Sequence, residues 1–132
     1  MQKVLKFLKD NEVFYLATAD GDQPHLRPFG VAVEYGGKLC LCTGRNKNVF
    51  LQLQKNPKAE ICATAKDGTF LRVSGVLKEV HDDDAKEKFF AAVSDLKDRY
   101  SGDARAAFTV IAFDNPDAVF SKPDGSAERY SL

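Results

Sequence analysis

The chain has 132 residues, with 19 Lys plus Arg against 19 Asp plus Glu, so its formal charge is zero. A length of this order suits one domain that buries about two-thirds of its unfolded surface without metal or disulfide staples. The neutral balance argues against a large sequence-independent nucleic-acid footprint, although a local anion site needs only a few well-placed cations.

Met1 to Asp10 sets Lys against Val4, Leu5, Phe7 and Leu8 at helical spacing. This predicts an amphipathic helix, too charged for a signal-peptide core and too short to span a bilayer. The expectation is a soluble, cytoplasmic protein without a membrane partner. Val13 to Ala19 reads as a strand closed by Asp20-Gly21-Asp22, a turn signal. One long extended run follows from Gln23 to Tyr35, and Gly36-Gly37 turns it into a strand from Lys38 to Thr43. Gly44 to Asn48 is a polar loop leading into a helix marked by Val49, Phe50 and Leu53 and stopped at Asn56-Pro57.

Ala59 to Ala65 and Phe70 to Val80 form a second hairpin about Asp67-Gly68. Asp82-Asp83-Asp84 caps a helix running to about Leu96. Lys97 to Arg105 is read as irregular. Ala107 to Phe113 is a strand, and Ala118 to Ser121 a separate short one beyond Asn115-Pro116. Strands joined by tight turns are antiparallel, and an almost closed antiparallel barrel with flanking helices leaves few exposed edges.

Hydrolase and nucleotide-binding signatures are missing. The three cysteines, Cys40, Cys42 and Cys62, have no framework spacing and read as reduced thiols that serve as small buried hydrophobes. No second Cys/His pair completes a zinc site, so no metal is expected. The informative residues are Arg27-Pro28-Phe29 and Thr43-Gly44-Arg45-Asn46-Lys47-Asn48. With Gly36-Gly37 as the hairpin tip, Arg27 falls opposite Gly44 to Lys47, and Phe29 opposite Thr43 or Gly44. The same end carries a helix start, whose free N–H groups favour an anion.

Arg27, Arg45 and Lys47 add charge there, and Thr43 and Asn48 add hydrogen bonds, a set suited to a phosphate monoester. Arg45 and Lys47 read equally well as solvated loop cations; Pro28 implies that Arg27 sits on an edge or bulge. Hydrogen bonds to a phosphate contribute about 1.5–3 kcal/mol each, against about 4–15 kcal/mol of lost rigid-body freedom. A ligand held here needs an apolar part as well, for which Phe29, Phe50, Phe70 and Phe120 are candidate surfaces.

Tyr15-Leu16-Ala17-Thr18, Arg27-Pro28-Phe29, Leu39-Cys40-Leu41-Cys42-Thr43, Lys47-Asn48-Val49-Phe50, Asn56-Pro57 and Arg72-Val73-Ser74-Gly75 occur in that order. In this the chain resembles the pyridoxamine 5'-phosphate oxidase-like superfamily, closest to short bacterial members, some of them nitroimidazole-reductase-like. The resemblance implies one mainly β domain over residues 1–132, a six-stranded antiparallel split barrel that forms a homodimer with FMN at its interface. It places Arg27, Pro28, Phe29, Gly30 and Val31 along the isoalloxazine ring, and Cys42 and Thr43 at the ring edge or ribityl chain. Lys47 and Asn48 hold the phosphate, with Arg27 or Arg45 assisting.

Asn46-Lys47-Asn48 stands where the family carries a Ser-Arg-Lys motif. Ala127 to Leu132 does not match the basic segment that recognises a vitamin B6 phosphate, so vitamin B6 oxidation is not expected. The implied activity is an FMN-dependent oxidoreductase that passes electrons from a reduced nicotinamide or another donor to a small oxidised molecule, such as a nitro compound or quinone. A non-catalytic flavin carrier or stress-associated flavin-binding protein is the alternative. A third reading is a haem-handling relative with His25 or His81 as iron ligand.

Overall fold

The computed structural model describes residues 1–132. Helix α1 (Gln2–Asn11) is followed by strands β1 (Phe14–Asp20), β2 (Gln23–Phe29), β3 (Ala32–Tyr35) and β4 (Lys38–Gly44). Then come α2 (Asn48–Lys55), β5 (Lys58–Thr64), β6 (Phe70–Val80), α3 (Asp83–Ala92), α4 (Leu96–Arg99), α5 (Asp103–Ala107), β7 (Phe108–Ser121) and β8 (Ala127–Ser131). The fold is mainly β: one eight-stranded antiparallel sheet in the order β2-β1-β5-β6-β7-β4-β3, with β8 added to β7.

The split-barrel class is the expected one, but the strands number eight rather than six. The run from Gln23 to Tyr35 is not continuous: it breaks at Gly30-Val31, and each half finds a different partner. β3 pairs with β4 about Gly36-Gly37, with Val33 opposite Cys40. Both glycines have positive φ (59° and 75°), which a two-residue hairpin turn of this kind requires. β2 instead folds back on β1, placing Arg27 opposite Leu16 and Phe29 opposite Phe14. The expected pairing of Arg27 with Gly44–Lys47, and of Phe29 with Thr43 or Gly44, is therefore incorrect. Beyond Leu41 the neighbour of β4 is β7, with Thr43 opposite Thr109. Pro24 and Pro28 lie on β2, which hydrogen-bonds only to β1, and such an edge tolerates a residue without an N–H.

Asn115-Pro116 does not divide β7, again contrary to expectation. The 14-residue strand bends there, with Asn115 at φ 44°. β6 answers with a register shift between Ser74 and Val76. A Cβ on Gly75, the residue inside that shift, would lie 3.2 Å from the Pro116 Cα and 3.3 Å from the Phe113 Cδ1. The bulge needs a residue without a side chain at that point. α3 ends at Ala92 rather than Leu96, because Val93 turns extended; Asp82 caps its start by accepting from the Asp84 N–H at 3.0 Å. β8 was not foreseen: its residues are all exposed and show no alternation.

Side-chain alternation feeds two cores. Leu39, Leu41, Ile111 and Phe113 point into the barrel, where α1 contributes Val4 and Leu8 and α2 contributes Val49, Phe50 and Leu53. Cys40, Val110 and Ala112 point to the other face, covered by Phe89 and Phe90 of α3 and Leu96 of α4. α2 and α4 are thereby anchored on opposite sides of the end of β4. No helix is long and apolar enough to cross a membrane.

Candidate functional site

At that end of β4 lies a cavity of about 280 Å³ lined by Arg27, Pro28, Phe29, Gly30, Val31, Cys42, Thr43, Lys47, Val49, Leu96, Arg99 and Tyr100. The structure thus gathers eight of the ten residues singled out in the sequence, although not by the pairing expected. β2 reaches the cavity after leaving β1, and Arg27 ties it to α2. The guanidinium donates to the Leu16 carbonyl (3.2 Å), the Thr18 hydroxyl (2.7 Å) and the Gln52 amide oxygen (2.7 Å). Thr18 in turn donates to Gln52 at 2.6 Å. Burial lowers the Arg27 pKa from its ordinary value. Arg27 therefore clamps α2 onto the β1–β2 hairpin, and much of its donor capacity is already used.

The two residues left outside are Arg45 and Asn48. Arg45 turns away, its Nε 2.6 Å from Glu79. Asn48 opens α2 and is exposed. Lys47 does face the cavity. It is the N-cap residue of α2, in extended conformation, and no side chain caps the first-turn N–H groups. Its Nζ donates to the Tyr100 hydroxyl at 3.3 Å and stands 5.6 Å from that ring's centroid. Thr43 is only 2% exposed. No carboxylate lines the cavity, whereas Arg27, Lys47 and Arg99 do. Such a lining favours an anion.

Leu96, Arg99 and Tyr100 were missed by sequence reasoning. α4 is four residues long, too short to show any periodicity, and only the adjacent cation and aromatic hinted at a role. Gly30 and Val31 are shared with a second hollow of about 670 Å³ between α1, β3 and the end of α3, floored by Leu5, Leu8, Phe14 and Val33. The Gly30-Val31 segment thus borders both hollows, and eight of the fourteen residues around the larger one are hydrophobic. Neither His25 nor His81 lines either hollow.

Burial pushes the Cys42 thiol up to about 11, with Lys47 and Arg99 nearby pulling the other way. At about pH 8 roughly one molecule in a thousand carries the thiolate, the form that reacts. Iodoacetamide should accordingly label Cys42 far more slowly than a free thiol, as peptide mass spectrometry would show. Labelling at the free-thiol rate would contradict this environment.

The chain matches the family described as Pyridoxamine 5'-phosphate oxidase over residues 1–120. Among solved structures it is similar to a NimC/NimA family protein from Clostridium acetobutylicum, with 39% identity, a TM-score of 0.92, and coverage of 100% of this chain and 92% of that one. A pyridoxamine 5'-phosphate oxidase-related, FMN-binding protein from Nostoc punctiforme shares the fold at 14% identity and a TM-score of 0.62, covering 99% and 93% of the two chains. So does a heme-binding protein from Mycobacterium smegmatis, at 17% identity and a TM-score of 0.74, over 96% of this chain and 56% of that one. No curated protein matches the sequence.

Proposed function

The chain belongs to the pyridoxamine 5'-phosphate oxidase family, and from that premise we propose that it is a cytoplasmic flavoprotein binding FMN at the interface of a homodimer. The observation that carries this is the cavity itself: cations, a threonine hydroxyl and uncapped helix N–H groups without a carboxylate, with Gly30-Val31 as a wall shared with the larger hollow and its hydrophobic residues. A phosphate monoester attached to a flat apolar body fits that sequence of surfaces. The cavity alone lies at the lower edge of ligand pockets, about 300–1,000 Å³, so the bulk of the ligand extends beyond it.

In this assignment Lys47 and the first turn of α2 hold the phosphate. Cys42 and Thr43 line the ribityl path, and the segment from Arg27 to Val31 flanks the ring. Bound FMN supplies the hydride or electron exchange. The chain's own residues bind it, orient it and exclude water. The cavity lining holds no carboxylate and no histidine, and burial keeps Cys42 as a thiol, so no side chain there is assigned as an acid or base. Electron transfer from a reduced donor to a small oxidised molecule needs none. The second reading is a carrier without turnover, which would hold the flavin through the same residues. The haem reading loses support, because both histidines lie away from the cavity.

The protein as isolated should be yellow, and the released chromophore should have the mass of FMN. Anaerobic NADH or NADPH should bleach it; a flavin that resists every donor would leave the carrier. Colourless protein that fails to quench FMN fluorescence would overturn the assignment. Lys47→Ala should weaken FMN binding by about 10- to 100-fold, the loss of one charge-assisted contact, with an unchanged thermal midpoint. Equal FMN affinity in a titration would remove Lys47 from the site.

A further inference from the structure

We propose that Arg99 is the second cation of the anion site, facing Lys47 across the mouth of α2 to grip a phosphate monoester, and that Tyr100 positions Lys47 for that task. The identity of the ligand rests on the flavin reading; the geometry of the grip does not. Of the cations near this end of the barrel, Arg27 is committed to Leu16, Thr18 and Gln52, and Arg45 to Glu79. Lys47 and Arg99 are left, and both lie close enough to Cys42 to act on its thiol from within the cavity.

Thr43 supplies an independent sign of a ligand. It is 2% exposed and lines the cavity, yet no protein group hydrogen-bonds its hydroxyl. No side-chain polar atom of the protein is both fully buried and unpartnered, so the Thr43 oxygen opens onto the cavity, where a bound molecule can hydrogen-bond it.

Arg99 is free to exchange partners. Its contact is Asp95 one turn back at 3.0 Å, with side chains 56% and 67% exposed, and such pairs are weak. A doubly charged phosphate offers more acceptors in the same place. Tyr100 is fixed from behind. Its ring packs edge-on against Phe108 at 4.7 Å, and Phe108 is fully buried. Leu96, 3% exposed, anchors the start of α4. The hydroxyl and ring of Tyr100 thus steady the exposed Lys47 ammonium at the rim of the cavity. The phosphate is gripped from two sides, by α2 and by an element more than 45 residues further along the chain.

The test compares FMN with riboflavin, which lacks the phosphate, by fluorescence titration of the full chain. Arg99→Gln should lower FMN affinity by about 10- to 100-fold and leave riboflavin affinity unchanged, and Arg99→Lys should restore part of the difference. Tyr100→Phe keeps the ring and should cost FMN a few-fold with riboflavin again unaffected. Arg45→Gln should change neither. A preference for FMN that survives Arg99→Gln overturns the proposal, as does an equal fall for both flavins. Should the unmodified protein bind no flavin, the flavin assignment fails by itself, and inorganic phosphate becomes the probe. Protection against thermal unfolding by phosphate, lost in Arg99→Gln, would then support the grip; no protection, or protection kept in the variant, would overturn it.

Discussion

Leu26→Asp should convert the protein to monomers and take FMN binding with it. Leu26 is 67% exposed, and Tyr15 and Val13 are 47% and 49% exposed beside it. On the outer face of the sheet Leu26 stands opposite Ala17, Pro28 opposite Tyr15, and Tyr15 opposite Cys62. The patch therefore runs across β2, β1 and β5. A contiguous apolar face of this kind marks an interaction surface more often than an isolated leucine does. Beyond it Cys62 pairs with Arg72 and Glu60 with Ser74. Glu60 and Arg72 both act on the Cys62 thiol, with opposite sign. Neither takes part in an ion pair within the chain. Opposite charges on either side of one centre are self-complementary under a two-fold rotation, as an interface between identical copies requires.

Pro28 links this surface to function, because it belongs to the patch and also lines the cavity. A second copy seated here would cover the cavity rim, which is why both properties should fail together. Burying one leucine is worth about 1.5–3 kcal/mol, and a symmetric dimer counts it twice. Placing a carboxylate there adds a desolvation penalty. Dimer dissociation should strengthen by at least about 100-fold, read by sedimentation at micromolar concentration. Leu51→Asp is the control. Leu51 is 51% exposed but lies on α2, away from the patch, and should leave both properties intact. A Leu26→Asp protein that remains a dimer with undiminished FMN affinity would place the interface elsewhere; a wild-type monomer that holds FMN would remove the need for one.

The parts of the molecule legible in its sequence were those governed by local chemistry. Gly36-Gly37 announced the β3–β4 turn and its register, Asp82 announced the cap of α3, and Asn56-Pro57 the end of α2. Where partner choice decided the outcome, local signals failed. Nothing near Gly30 says that β2 will leave β4 for β1, because β propensity is the same for either partner. The cavity assembled nonetheless, because Gln52 and Thr18 accept from Arg27 and bring the β2 end alongside α2.

Arg45 shows the converse. In sequence it is one more cation before a helix, and only the fold brings Glu79 to it across 34 residues. α4 and β8 escaped for another reason. One is a single turn held by Leu96, the other an exposed strand completed by β7, so neither carries a periodicity of its own.

Glu79→Ala should be among the most destabilising surface-proximal changes, and its cost should depend on pH. The Glu79 side chain is 13% exposed and accepts from the Arg45 Nε at 2.6 Å and from the Thr109 hydroxyl. Thr109 is fully buried, so removing its acceptor strands a hydroxyl. The expected loss is about 2–3 kcal/mol, most of it from Thr109, because Arg45 is 46% exposed and can return to water. Glu79→Gln keeps an acceptor for Thr109 and should lose only about 1 kcal/mol.

Burial tends to raise the Glu79 pKa, but the hydrogen bonds from Thr109 and Arg45 outweigh it, so the carboxyl lies below its ordinary 4.5. The folded pKa being the lower one, the ionised group stabilises the protein above the ordinary value, and that contribution is lost as pH falls through the folded pKa. Urea unfolding should thus show the gap between wild type and Glu79→Gln at about pH 7 shrinking steadily on acidification past about pH 4. A gap independent of pH would show that the charge on Glu79 does not stabilise the fold. FMN affinity should be unaltered in both variants, because neither Glu79 nor the Arg45 it holds lines the cavity. A gain in FMN affinity on releasing Arg45 would return that arginine to the site.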